Sequence, residues 1–375
     1  MNLARSFSGS ISISISISIS ISISILSLSL LACSGTDVAA TTPPGPAPSA
    51  VTVAPKASAS PATEIDKILV AARKLDAIVK RPEVKRFLAH ASTLPHIATR
   101  TLYHDEKKTH FYTEQQAAAL PPAEKAALKT MVADEELYYN AKYGSPLSYS
   151  RPLDILFSKG LSLPQGARVL DFGYGYVGHL RLLATMGIDA TGVDVDPFLT
   201  ALYGQPGDTG DFTGPAGEKG HVRLLEGHFP ADPAIVTAVG TGYDLVISKN
   251  VLKRGYIHPY RPADEKFVIK LGATDEVVLK SFFAALKPGG TMLVYNICPA
   301  LTPPDKPFVT WSDGRSPFSR EQWEAAGFKV DVFDQDDTEA VRIMGHALGW
   351  GDDPEDHWDI DHDLSVIYTL VEKPR

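Results

Sequence analysis

From residue 167 onward, short apolar runs alternate with amphipathic ones. The runs "ARVLDF" (167–172), "DATGVD" (189–194), "HVRLLE" (221–226), "YDLVIS" (243–248) and "TMLVYNI" (291–297) predict strands. Helical spacing predicts helices over 177–187, from Pro197, and over 274–287. A helix over 319–326 and the strands "FKVDVF" (328–333) and "LSVIYTLV" (364–371) finish the chain. Strands alternating with helices imply an α/β, doubly wound, mostly parallel sheet covered on both faces. The last two strands have no clean crossover helix between them, which predicts an antiparallel pair at one edge.

Upstream the pattern is different. Thr63-Glu64 is a helix start, and Ile65, Ile68, Leu69, Ala72, Leu75 and Ile78 recur at helical spacing until Pro82. A second helical pattern covers about 122–139, with Leu128, Met131, Val132 and Leu137 on one side. A helical N-terminal extension over 63–150 is therefore expected, ahead of a main domain over 151–375. Residues 34–62 are rich in Pro, Ala, Ser and Thr and too poor in apolar residues to fold, so they read as a linker. Residues 1–33 read as a secretory leader: Arg5, an Ile-Ser alternation, then Leu30-Leu31-Ala32-Cys33. That ending resembles a bacterial lipoprotein box, which implies lipidation of Cys33 and a membrane anchor in the cell envelope. An ordinary signal peptide is the other reading of this leader. A misassigned start is a third, and would leave the protein cytoplasmic.

Composition narrows the function. The formal net charge is -8 and no Lys/Arg-dense run occurs, which argues against a nucleic-acid partner. The two cysteines are Cys33 and Cys298. With Cys33 in the leader no disulfide is expected, and cysteine-built metal sites are excluded by count; no metal is expected. Cys298 reads as a small buried apolar residue.

The chemistry centres on "VLDFGYGYVG" (169–178). A strand ends at Asp171-Phe172, and Gly173, Gly175 and Gly178 then turn the chain into a helix whose N-terminus offers free N–H groups. A G-x-G-x-x-G turn also serves dinucleotide enzymes. Asp171 at its base would repel a pyrophosphate, however, and suits a ligand with a cationic end. The second strand ends "GVDVDP", where Asp194 can accept ribose hydroxyls and Asp196 can cap the next helix.

With "YDLVISKNVL" and "LKPGG" (286–290), these motifs occur in the order and spacing of the class I S-adenosylmethionine-dependent methyltransferases, which residues 167–297 resemble. The resemblance implies a Rossmann-like seven-stranded sheet with a reversed last strand, and S-adenosylmethionine as cofactor. It places Asp171, Gly173 and Gly175 at the methionine end, with Phe172, Tyr174 and Gly178 also among the cofactor-binding residues. Asp194 falls on the ribose, Val195 beside the adenine, and Lys249 and Asn250 toward cofactor and substrate. Gly227 is followed by His228 where the family has an acid for the adenine amine; His228, Glu226 or a backbone group takes that place.

Two stretches exceed what such a fold needs: a Gly-rich insertion at 203–220, and 253–272 after the fourth strand. The second holds Lys253, Arg254, Tyr256, His258, Tyr260 and Arg261, a set suited to an anionic or aromatic acceptor. His258, with Tyr256, is the candidate general base should the acceptor need to lose a proton. The expected activity is methyl transfer to a small molecule or an envelope-associated acceptor. The competing readings are an inactive surface-anchored binding protein with the same fold, and an NAD(P)-dependent oxidoreductase.

Overall fold

Eight of the strands fall into one sheet because successive apolar runs need two covered faces, and the helices between them supply the cover. The structure is a computed structural model that describes residues 63–139, 144–352 and 359–375. The expected leader, Cys33 and the linker lie outside those residues. The sheet contains β4 (Arg168–Phe172), β5 (Asp189–Asp194), β6 (Gly210–Thr213), β7 (Lys219–Glu226), β8 (Tyr243–Lys249), β9 (Leu286–Pro299), β10 (Lys329–Asp336) and β11 (Leu364–Glu372). Its order is β10-β11-β9-β8-β4-β5-β7-β6. Neighbours from β9 to β7 are parallel, while β11 runs antiparallel to β9 and β10. The chain therefore has the expected α/β, mostly parallel fold with a reversed strand near one edge.

Alternation along each strand divides the core. Val169, Ala190, Leu245, Ile247, Leu293 and Tyr295 belong to one buried cluster. Leu170, Val193, Val246, Met292 and Val294 belong to the other. Asp171 pairs with Ile247 in register, and Lys249 lies two residues beyond. Both fall on the face that the N-terminal helices cover.

Three expectations are corrected. The sheet has eight strands, not seven. The Gly-rich insertion folds β6 back as a hairpin on β7, held by Gly214 N–H to the Glu218 carbonyl at 2.8 Å. The late pair does carry a helix between its strands, Thr338–Leu348, which buries Val341 and Met344. The 63–150 stretch is mainly helical, as expected, but not helical throughout. Beside the helices Glu64–Ile78 and Pro82–Ala89 it holds an antiparallel sheet, β2-β1-β3, made of β1 (Arg100–His104), β2 (Phe111–Thr113) and β3 (Lys129–Ala133). The expected helix over 122–139 is split: short helices Pro122–Ala126 and Glu135–Tyr139 flank β3, where pairing overrides the helical spacing, with Leu102 opposite Met131 and Thr101 opposite Val132.

Buried charges tie this stretch to the main sheet. Arg100 of β1 donates to both Asp208 oxygens, at 2.7 and 2.9 Å. Tyr138 donates to Asp208 at 2.8 Å, and Arg181 to the Tyr138 oxygen at 2.7 Å. Among the described residues no helix is long and apolar enough to cross a membrane.

Candidate active site

The glycine turn is built where β4 meets the Gly178–Thr185 helix. Gly173 and Gly175 have φ of +76° and +58°, left-handed values that favour glycine. A Cβ on Gly173 would also lie 2.3 Å from Val251 Cγ2. Backbone and packing thus both require glycine at the turn's first position.

Asp171 lies beneath the turn and is fully buried. Its Oδ2 accepts from the Tyr149 hydroxyl at 2.7 Å and from His179 Nε2 at 2.5 Å. The rings of Tyr149 and His179 stack 3.6 Å apart at 5°. Burial holds His179 below the usual histidine range, against the pull of Asp171, so a neutral ring protonated on Nε2 fits the contact. Asp171 Oδ1 is buried and has no hydrogen-bond partner among the described residues. A carboxylate oxygen in that condition costs several times a typical hydrogen bond unless a ligand supplies the donor.

Lys249 closes the same corner. It is 8% exposed, and its ammonium sits 5.1 Å from the Tyr149 ring centroid. No carboxylate or carbonyl among the described residues binds it. Burial lowers its pKa to about 8, with Asp171 opposing the shift and Lys253 adding to it. Asn250 has a left-handed φ of +68°. Its N–H donates to the Tyr295 carbonyl at 3.0 Å and its Oδ1 accepts from Ile297 N–H at 2.7 Å. The Asn250 side chain therefore locks β8 to β9.

Asp194 ends β5 on the other flank of the turn. Its Oδ2 accepts from Gly175 N–H at 3.2 Å, and its Oδ1 from Val195 and Asp196 N–H at 2.7 and 3.2 Å. It thus holds the turn together and keeps lone pairs for further donors. Burial raises its pKa, and Asp171 adds to the rise. Asp196 caps the Pro197–Leu202 helix through Phe198 N–H at 2.9 Å, as expected. Val195 is 39% exposed beside Asp194. Gly227 N–H donates to the Asp194 carbonyl at 2.8 Å, and the next residue, His228, is exposed. Glu226, opposite Asp194 in register, accepts from Thr200 Oγ1 at 2.5 Å. Phe172 and Tyr174 are core residues: Phe172 packs edge-on against Phe282, and Tyr174 fills the space above Gly192.

The two candidate base residues differ in exposure. Tyr256 is buried in a short helix, with the Lys253 ammonium 5.4 Å from its ring centroid. His258 is half-exposed, and its Nε2 lies 3.0 and 3.1 Å from the Asp275 carboxylate oxygens. That pairing fixes the orientation of His258 at the surface. Cys298 is buried, with Sγ 3.3 Å from the Ser365 carbonyl, consistent with a small core residue.

Tyr149 and His179 are the site residues that sequence reasoning missed. His179 follows Gly178 directly, and a polar residue at the buried start of that helix was the available signal. Tyr149 lies in an irregular aromatic stretch whose partner is far away in the chain.

No family model matches the chain, and no curated protein does. Solved structures with a similar fold include phosphoethanolamine N-methyltransferase 2 from Haemonchus contortus, solved with S-adenosyl-L-methionine. It is 13% identical, covers 78% of this chain and 74% of its own, and has a TM-score of 0.35. A cyclopropane synthase from Mycobacterium tuberculosis is 14% identical over 60% of this chain and 85% of its own, with a TM-score of 0.35. The [4+2]-cyclase SpnF is 15% identical over 60% of this chain and 81% of its own, with a TM-score of 0.32. At this distance the likeness bears on neither substrate nor activity.

Proposed function

We propose that this chain is a class I S-adenosylmethionine-dependent methyltransferase acting on a small molecule or an envelope-associated acceptor. The observation that carries the reading is the buried, unpartnered Oδ1 of Asp171 at the base of a left-handed glycine turn. An anionic dinucleotide phosphate would be repelled there, whereas the amino group of an S-adenosylmethionine would satisfy the orphan oxygen. The residues present fit that cofactor: Asp171 and the turn at the amino end, Asp194 at the ribose, and Val195 with the chain around Gly227 and His228 near the adenine. When bound, the cofactor supplies a methyl group on a sulfonium, already activated for in-line transfer. The protein's part is to hold, orient and exclude water. The N-terminal Cys33 is proposed as a lipid anchor in the envelope; fatty-acid labelling lost in Cys33→Ser tests it, and an unlabelled wild type refutes it.

Calorimetry of the full chain tests the main reading. S-adenosylhomocysteine is expected to bind at micromolar strength or better, and Asp171→Asn to weaken it at least tenfold. Binding of NAD in its place would overturn the reading.

A further inference from the structure

The stretch after β8 is rich in cations, and most of them already have hydrogen-bond acceptors. Arg254 Nε meets Asp313 at 2.8 Å and Arg315 Nε meets the same carboxylate at 2.7 Å. Arg261 donates to the carbonyls of Thr302, Pro303, Pro304 and Lys306. Lys249 and Lys253 differ. Both are more than nine-tenths buried, and no carboxylate pairs with either among the described residues. Lys253 Nζ has one acceptor, the Ile297 carbonyl at 2.7 Å, for its three donors. Lys249 makes no hydrogen bond among the described residues; it rests on the face of Tyr149, with Asp171 near but outside ion-pair contact. Two such ammonium groups near each other repel, and burial gives them little water in exchange.

Their position selects the ligand. Asp171 and Ile247 are in register on neighbouring strands. Lys249 therefore stands about 7 Å further along the strand direction than the carboxylate that marks the cofactor's cationic end. Lys253 is further out again, against the end of β9. Lys249 is the last residue of β8 and Lys253 lies in the loop after it, at the carboxyl-end side of the sheet where ligands of open α/β sheets bind.

We propose that Lys249 and Lys253 form the anion-recognising wall of the acceptor site, so that the acceptor carries a carboxylate or phosphate close to the atom it presents for methylation. This rests on the methyltransferase reading. The wall satisfies donors that the fold leaves open, and it excludes amines and other cationic acceptors by repulsion.

The test uses the full chain saturated with S-adenosylhomocysteine, titrated with inorganic phosphate and with benzoate at constant ionic strength set by chloride. At least one probe is expected to bind above the chloride background, and the stronger of the two identifies the anion. Lys249→Met and Lys253→Met are each expected to weaken that probe at least tenfold while S-adenosylhomocysteine affinity stays within threefold. Lys266→Met, which removes an exposed lysine from the same stretch, is expected to change neither. Lys249→Gln, which keeps a polar end, serves if the Met variant fails to fold. Wild-type protein that ignores both anions overturns the proposal, as does anion binding that survives both lysine changes. Loss of S-adenosylhomocysteine affinity in Lys249→Met with anion binding intact also overturns it, because Lys249 then serves the cofactor. Failure of wild type to bind S-adenosylhomocysteine at all would instead strike the methyltransferase reading, and the anion titration of cofactor-free protein would judge the lysine pair separately.

Discussion

At the residue scale, the site is a set of buried charges whose partners are unevenly supplied. Asp194 was legible as a ribose acceptor from its place after the second strand. The structure adds that it accepts from three backbone N–H groups of the turn and of its own strand end. Asp194→Ala leaves those donors unpaired, at about 1–3 kcal/mol in total. The variant is therefore expected to lose stability of that order in urea unfolding of the cofactor-free protein, along with a tenfold or greater loss of S-adenosylhomocysteine affinity. Unchanged apo stability would show that water replaces the carboxylate freely. Lys249 makes a complementary prediction about pH. Its pKa is lowered from 10.5 in the unfolded chain to about 8 in the folded protein. Below pH 8 both states carry the charge, and the folded state bears the full burial penalty. Between pH 8 and 10.5 the folded protein has shed a proton that the unfolded chain keeps, so stability rises with pH across that window. The rise amounts to at most about 3 kcal/mol. Lys249→Met is expected to remove it, so the difference in unfolding free energy between variant and wild type should shrink as pH rises from 8 to 10. A difference independent of pH would show that the ammonium is solvated. Burial lifts Tyr149 and Tyr295 well above the usual tyrosine range in the folded state of both proteins, so their contribution cancels in the comparison.

At the element scale, sequence legibility follows the range of the contacts involved. The strand "DATGVD" was read from its own residues and matches β5 at both ends. The turn at Gly173 was equally local, because a left-handed backbone leaves its mark in the residue itself. β3 and β6 were not readable. Each gains its ladder from a partner strand, β1 and β7, and the helical spacing of Leu128, Met131 and Val132 was a coincidence that pairing overrode. The charge on Asp171 was visible, but its Tyr149 and His179 donors required knowing which helix packs on which strand. The partner of His258 was unreadable for a related reason: Asp275 sits at the start of a helix 17 residues away. The Gly173 turn offers a test at this scale. Gly173→Ala meets both a disfavoured φ and a Val251 methyl at 2.3 Å. The torsion costs roughly 1–2 kcal/mol, and overpacking typically adds a further ~1–3 kcal/mol. Val251→Ala in the same chain is expected to recover the packing part only. Thermal unfolding of the single and double variants separates the two, and no recovery in the double variant would place the whole cost in the backbone.

At the scale of the whole molecule, the stretch before residue 151 belongs to the same folded body as the sheet. Tyr149 supplies a bond to the Asp171 carboxylate, and Arg100 and Tyr138 meet at Asp208 in the insertion. Arg100 and Asp208 are both buried, and Arg181 reaches the same cluster from the helix that follows the glycine turn. A body joined in this way should unfold in one step. Asp208→Ala leaves the Arg100 guanidinium buried without its counter-charge, and breaking a buried pair in this manner typically costs about 3–5 kcal/mol. Because Arg181 lies on the helix that the glycine turn leads into, the loss should propagate to the cofactor site. The expected outcome is a single cooperative transition at lower denaturant, followed by tryptophan fluorescence and by protease resistance of the 63–150 stretch, with both probes moving together. Two separated transitions, with the early one confined to that stretch and S-adenosylhomocysteine still bound after it, would show that the extension is an independent appendage. Asp208→Ala combined with Arg100→Met removes both charges, and recovery of most of the lost stability in that double variant would assign the cost to the unpaired guanidinium rather than to the missing hydrogen bonds of Asp208.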